Sequence, residues 1–350
     1  MTGVGRRLAA GLVVAVVVVG LGACSSGDDA DPDAESDAGT TSTAGAGTTT
    51  TGAVTTTDAT GEADTAARLY PDPEAQVTEW VAGHPDDPRM PALRDRIAAQ
   101  PQARWFIEAD PSTIADEVRA YVGPAVEAGE VPVLVAYAIL HRDCGGASDG
   151  GAGNLDDWQA WMAGMADGLG DARAIVVVEP DALAEEECLD DAQVAARHAA
   201  LASAVTTLRD ADARAEVYLD AGHSDWNPPA EQARRLREAG VLDASGFATN
   251  VSNFNTVDDE IAYGRALLDE LGRPDLRQVI DVSRNGNGPA PDAEWCDPDG
   301  RAVGRAPTLA TGEPTVAAFL WIKPPGEADG CAADPGDFVP DLAYALAQSP

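Results

Sequence analysis

Ala174-Ile175-Val176-Val177-Val178-Glu179-Pro180-Asp181-Ala182-Leu183-Ala184 is the stretch on which the fold turns. Its first five residues are apolar and mostly β-branched, with no polar interruption, so they read as a strand covered on both faces. The run stops at Glu179-Pro180, where proline withdraws a backbone N–H, and a carboxylate follows at once. The same unit recurs on both sides, with apolar runs at 103–107, 131–137, 216–219, 246–250, 278–282 and 318–322. Between them lie stretches with apolar residues at helical spacing, at 156–169, 192–209, 230–239 and 258–271. Asp190-Asp191 and Pro228-Pro229 stand where helix N-termini are expected. Apolar strands alternating with helices predict an α/β protein with a parallel sheet, and seven or eight such units in roughly 280 residues favour a barrel over an open sheet.

The residues that end the strands point to chemistry. They are Tyr137 with Asp143, Asp181, Asp220 with His223, Asn250 with Asn253, Ser283-Arg284-Asn285, and Lys323 with Glu327 and Asp329. Any one of these could simply cap the next helix, but six junctions in succession place a polar constellation at one end of the barrel, where barrel enzymes keep their sites. Separated carboxylates in that position are what acid–base cleavage of a glycosidic bond requires. Tryptophan adds to the pattern, with 7 Trp against 5 Phe. Trp226 and Trp295 fall in loops after strands, where an indole can stack on the flat C–H face of a sugar. Trp105, Trp161 and Trp321 sit within strand or helix patterns and read as core, while Trp80 fits either use.

The rest of the chain bounds the reading. Arg6-Arg7, an apolar run at 8–19 and Leu21-Gly22-Ala23-Cys24 suit a signal peptide over 1–23, with Cys24 as a lipidation site of bacterial lipobox type; an ordinary signal peptide or an uncleaved anchor are the alternatives. Residues 24–66 are rich in Thr, Gly, Ala, Ser and Asp, cannot bury enough surface to offset ordering, and read as a tether to one folded domain over 67–350. A protein of this design is exported and held at the outer face of the membrane only through its lipid, or secreted. The net charge of −36 argues against nucleic acid or an anionic membrane surface as partner, and leaves an uncharged polymer compatible. With Cys24 set aside, Cys144, Cys188, Cys296 and Cys331 form an even set, for which three pairings exist. Chain order suggests Cys144–Cys188 and Cys296–Cys331; zinc is the rival, without a Cys-x-x-Cys or His-rich spacing to support it. Neither a metal nor a cofactor is called for, and a monomer suffices.

Seven motifs in order resemble glycoside hydrolase family 6: His141-Arg142-Asp143-Cys144, Val177-Val178-Glu179-Pro180-Asp181, Tyr218-Leu219-Asp220-Ala221-Gly222-His223, Asn250-Val251-Ser252-Asn253-Phe254, Ile280-Asp281-Val282-Ser283-Arg284-Asn285, Trp295-Cys296-Asp297-Pro298, and Trp321-Ile322-Lys323-Pro324-Pro325-Gly326-Glu327-Ala328-Asp329. The likeness runs from about Leu69 to the C-terminus. It implies a distorted, TIM-like barrel of seven parallel strands that cuts β-1,4-glucan with inversion. Carried over residue by residue, Asp181 matches the general acid, Asp143 the carboxylate that holds the acid protonated, and Asp329 the proposed base. Tyr137 matches the ring beneath the distorted sugar, and Ser148 a water-holding position in a loop that moves. Lys323 and Glu327 match sugar-binding positions; Asp220, His223, Trp226, Asn250 and Trp295 match residues lining the cleft. Asp281 and Arg284 match a network under the site.

The sequence departs from the family at Ala138-Ile139-Leu140-His141, where a Pro and a polar residue are usual, and at Trp158, where a Tyr is expected. Exo-acting members roof the cleft with long loops, whereas the spans after Cys188 and from Trp295 to Lys323 are short here. An open groove and internal cleavage follow as the expectation, with soluble or amorphous glucan as substrate. An exo-acting cellobiohydrolase, a non-catalytic glucan-binding lipoprotein and a hydrolase of another envelope polysaccharide are the competing readings.

Overall fold

Seven strands of the computed structural model, which describes residues 67–211 and 214–348, form a single sheet. They are β1 (Arg104–Phe106), β2 (Val133–Ala136), β3 (Ala174–Val178), β4 (Ala215–Asp220), β5 (Gly246–Thr249), β6 (Arg277–Asp281) and β7 (Val316–Leu320). Every neighbouring pair is parallel, and the spatial order is the chain order. The expected leader, Cys24 and the tether up to residue 66 lie outside the described residues.

Successive side chains of a strand point to opposite faces, and two separate cores result. Val135, Val177, Tyr218, Ala248, Val279 and Leu320, one from each of β2 to β7, meet inside the curl of the sheet. Leu134, Val176, Val217 and Phe247 face the other way and pack under helical residues such as Val118, Trp161, Leu201 and Leu236. Both faces being covered is the reason these strands carry no polar alternation.

Curling brings β7 back to β1 without a ladder between them. The seam is crossed by the Ala103 N–H, which donates to the Trp321 carbonyl at 2.9 Å, and by the Trp105 indole N–H, which donates to the Ile322 carbonyl at 2.7 Å. This is the distorted seven-stranded α/β barrel expected from the strand–helix alternation and the motifs.

Helices Leu155–Leu169, Asp191–Ala211, Pro229–Glu238 and Val257–Leu271 occupy the stretches read as helical. Asp190 caps the second, its Oδ1 accepting from the N–H groups of Ala192 and Gln193, and Pro229 opens the third. The alternation fails between β6 and β7, where residues 282–315 hold no helix or strand. Both disulfides follow chain order, Cys144–Cys188 and Cys296–Cys331.

Candidate active site

The loops that leave the strands are built under strain. All nine described non-glycine residues with left-handed backbone lie there: His141, Asp143 and Cys144 after β2, Glu179 and Asp181 after β3, Asn250 and Ser252 after β5, Ala293 and Asp297 after β6. Each such conformation costs on the order of 1 kcal/mol or more and persists because its surroundings over-determine it. Gly146, in extended backbone, is glycine for space, since a Cβ there would lie 2.6 Å from Asp143 Oδ2.

Asp143, Asp181 and Asp329 line one cleft of about 430 Å³, together with Tyr137, Ser148, Glu185, His223, Trp226 and Trp295. A second lobe of about 610 Å³ holds Glu327, Gln76 and Arg104, and shares Trp105, Tyr137, Ser148 and Lys323 with the first. The two lobes are thus halves of one groove that meet over Tyr137. Trp226 and Trp295 are 37% and 57% exposed, unusual for indoles, and both stand in the lobe that holds the carboxylates.

Asp181 has its carboxyl pushed well above the usual carboxylate range, by burial first and then by the charges of Asp220, Asp143, Glu185 and Asp329. Asp220 lies underneath at 1% exposure, its Oδ1 accepting the N–H groups of Asp181 at 3.0 Å and Gly222 at 2.9 Å. Burial lifts it to about 7 despite those bonds, and its Oδ2 has no hydrogen-bond partner among the described residues. Asp143 accepts the Ser148 N–H at 2.5 Å, which ties the glycine-rich loop to it. Glu185 is raised as well, by burial and then by Asp143.

Beside them, Tyr137 meets Trp105 edge-on at 5.2 Å, and the Arg142 guanidinium sits 4.9 Å from its ring centre while donating to the carbonyls of Tyr137 and Ser148. Burial pushes the Tyr137 hydroxyl upward in pKa, so it stays neutral. His223 Nδ1 accepts from the Asp225 N–H at 3.3 Å and lies 3.0 Å from Asn255 Nδ2; burial lowers its pKa, and the neutral ring then keeps its proton on Nε2.

At the β6 and β7 ends the surroundings change sign. Asp329 Oδ2 accepts from Arg284 at 2.8 Å and from the Asp297 N–H at 3.2 Å, with Lys323 Nζ 3.6 Å from Oδ1. Asp281 spends both oxygens on four backbone N–H groups, those of Ser252, Ser283, Ile322 and Lys323, and so joins the ends of β5, β6 and β7. Burial lowers the Lys323 pKa while Asp329 opposes that fall, and burial lifts Glu327 to about 7.

A groove with a carboxyl raised in pKa, a second carboxyl group beside it and exposed indoles has the chemistry of glycosidic bond cleavage. The profile of Glycosyl hydrolases family 6 matches residues 64–343. The chain belongs to that family. It is 48% identical to Endoglucanase A of Thermobispora bispora over 85% of this chain and 66% of that protein, and 48% identical to Endoglucanase 1 of Streptomyces sp. (strain KSM-9) over 83% of this chain and 81% of that protein. Among solved structures it resembles the endoglucanase Cel6 from Mycobacterium tuberculosis, in complex with methyl-cellobiosyl-4-deoxy-4-thio-β-D-cellobioside. The TM-score is 0.75 and the identity 41%, covering 80% of this chain and 96% of that one.

Within the family 6 framework two expected cleft contacts lie elsewhere. Asn250 is fully buried, its amide donating to the carbonyls of Asn255 and Asp281 while its oxygen accepts the Asn255 N–H, so it shapes the loop after β5 and does not line the groove. Asp220 likewise acts from beneath. Trp105, read as core, lines both lobes because β1 is the seam strand. Trp161 and Trp321 are buried as expected, and Trp80 stacks on His84 at 4.6 Å and lines neither lobe. The Trp158 indole N–H donates to buried Glu179 at 2.7 Å, which also accepts the N–H groups of Ala138 and Ile139, so both departures from the family pattern meet on one carboxylate. Burial lifts Glu179 to about 7 against those three donors. Glu185 was missed because the run Glu185-Glu186-Glu187 reads as a solvated charge cluster; its place four residues past Asp181, in a strand-end loop, was the available signal.

Proposed function

We propose that this glycoside hydrolase is an endo-β-1,4-glucanase that cuts internal bonds of cellulose or a related β-glucan with inversion. The observation that carries the reading is the convergence of Asp143, Asp181 and Asp329 on one groove whose lobes extend to either side of Tyr137. Asp181 is the general acid: burial and neighbouring carboxylates keep it protonated at working pH, so it can give its proton to the departing glycosidic oxygen. Water, positioned near Ser148, attacks the anomeric carbon from the opposite face and loses its proton to Asp329, directly or through a second water. One bond to the sugar forms as one breaks, and the configuration inverts. Tyr137 supports the distorted ring, Trp226, Trp295 and His223 hold the chain on the acid's side, and Lys323 and Glu327 hold it in the other lobe.

Internal cleavage is supported by the short spans around the groove and by relatives that bear the name endoglucanase. Time-resolved NMR of products from cellotetraose tests the reading: α-anomer first is expected, and β-anomer first would overturn inversion. Viscosity of carboxymethylcellulose should fall ahead of reducing-end release; the reverse order would make the enzyme exo-acting.

We further propose that the enzyme is an exported monomer, either lipidated at Cys24 and carried on the 24–66 tether outside the cytoplasmic membrane or secreted; Arg6-Arg7, the apolar run at 8–19 and Leu21-Gly22-Ala23-Cys24 support export. Labelled fatty acid should enter the wild type and not Cys24→Ser, whose enzyme should appear in the medium.

A further inference from the structure

Arg197 stands outside the groove, on the helix Asp191–Ala211, and is 3% exposed. A buried guanidinium ordinarily faces a carboxylate, and this one faces carbonyls. One terminal nitrogen donates to Ala182 O at 3.0 Å and Glu185 O at 3.3 Å; the other donates to Leu140 O and His141 O, both at 3.0 Å. The first pair lies in the loop after β3, with Ala182 adjacent to Asp181. The second pair lies in the loop after β2, with His141 two residues before Asp143. The planar fork of a guanidinium fixes the directions of its donors, which an ammonium cannot do.

We propose that Arg197 is a positioning residue for hydrolysis, a clamp across the loops after β2 and β3 that sets the separation of Asp143 from Asp181. This rests on the acid role of Asp181 given above. The clamp acts on backbone in the left-handed region at His141, Asp143 and Asp181, where a released loop would relax first. The Cys144–Cys188 disulfide ties the same two loops covalently but farther from Asp181, so it limits their parting without fixing the angle between the carboxylates. Glu179, Glu186 and Glu185 are the charges that act on the guanidinium; burial lowers its pKa while they hold it up, and it remains a cation.

The test compares Arg197→Lys and Arg197→Gln with wild type on two substrates. Cellotetraose has a poor leaving group and needs the acid, whereas a 2,4-dinitrophenyl β-cellobioside does not. A displaced acid should cut kcat on cellotetraose on the order of 10²-fold, with KM near wild type, and spare the activated substrate. In Arg197→Lys, which keeps the charge, the alkaline limb of kcat/KM should move to lower pH as Asp143 moves away from Asp181. The ratio of the two activities does not depend on how much of a preparation is folded. Equal losses on both substrates, or a wild-type ratio in both variants, would overturn the clamp. Failure of wild type to cleave cellotetraose would instead overturn the assigned activity.

Discussion

Around the ends of β2 and β3, Asp143, Asp181 and Glu185 crowd together above Asp220, and every charge that acts on Asp181 raises its pKa. Around the ends of β6 and β7, Asp329 is buried where Asp181 is half-buried, and it is held by Arg284 and approached by Lys323, while Asp281 is fenced by backbone N–H groups. The residue type is the same, and the partners differ in sign. Carboxylates crowded around Asp181 raise it and suit it to donate a proton, whereas Asp329, bonded to Arg284 with Lys323 nearby, is placed to hold water.

The strongest way to break this comparison is to remove the proton donor. Asp181→Ala should lower kcat on cellotetraose on the order of 10³-fold, with little change in thermal unfolding, because a raised carboxyl contributes little as an ion. Unchanged activity would remove Asp181 from the chemistry. At the other end the loss should appear in stability. Arg284→Met leaves Asp329 buried opposite Lys323 alone, and urea unfolding should show a loss of about 3 kcal/mol, the scale for breaking one side of a buried pair. A variant as stable as wild type would mean that the pair contributes nothing net.

Much of this contrast was legible in the sequence, for a physical reason. A strand covered on both faces is an unbroken apolar run, so the polar residues that follow it mark the rim of the barrel; Asp143, Asp181, His223, Lys323 and Asp329 all stand in such post-strand stretches. Position along the chain says little about direction, however. Asp220 and Asn250 also follow apolar runs, yet the turn geometry after β4 and β5 points them inward to backbone partners. Trp105 looked like core because β1 reads as any other strand; only the seam with β7 exposes its ring. Arg197 had no signal at all, being one basic residue in a helix, and the 282–315 connection lacks the periodicity on which such readings rest.

Two smaller effects sharpen the comparison through pH. Glu179 and Asp220 are lifted to about 7 by burial, above their unfolded values. A carboxyl raised in the folded state contributes stability that is complete below its unfolded pKa, near 4 to 4.5, and is lost as pH climbs to about 7. The melting temperature should therefore fall between about pH 5 and 7.5, and Glu179→Gln should flatten that slope; an identical slope would mean that Glu179 does not titrate there. For activity, Asp143→Asn removes a charge that raises Asp181, so the alkaline limb of kcat/KM should shift to lower pH. An unmoved limb would separate Asp143 from the acid's protonation.

The smallest effect belongs to the groove wall. Trp295 is 57% exposed and Trp226 37%, so neither is held in place by packing alone, and both line the lobe that contains the carboxylates. Loss of one stacking ring is worth about 1 kcal/mol, or roughly a fivefold rise in KM. Trp295→Ala should show that rise on cello-oligosaccharides long enough to reach the indole, with kcat unchanged and no rise on shorter ones. Because Trp295 adjoins Cys296, whose disulfide reaches the loop that carries Asp329, a fall in kcat instead would mean that the wall and the cation-held carboxylate move together. The two ends of the groove would then be less independent than their opposite electrostatics suggest.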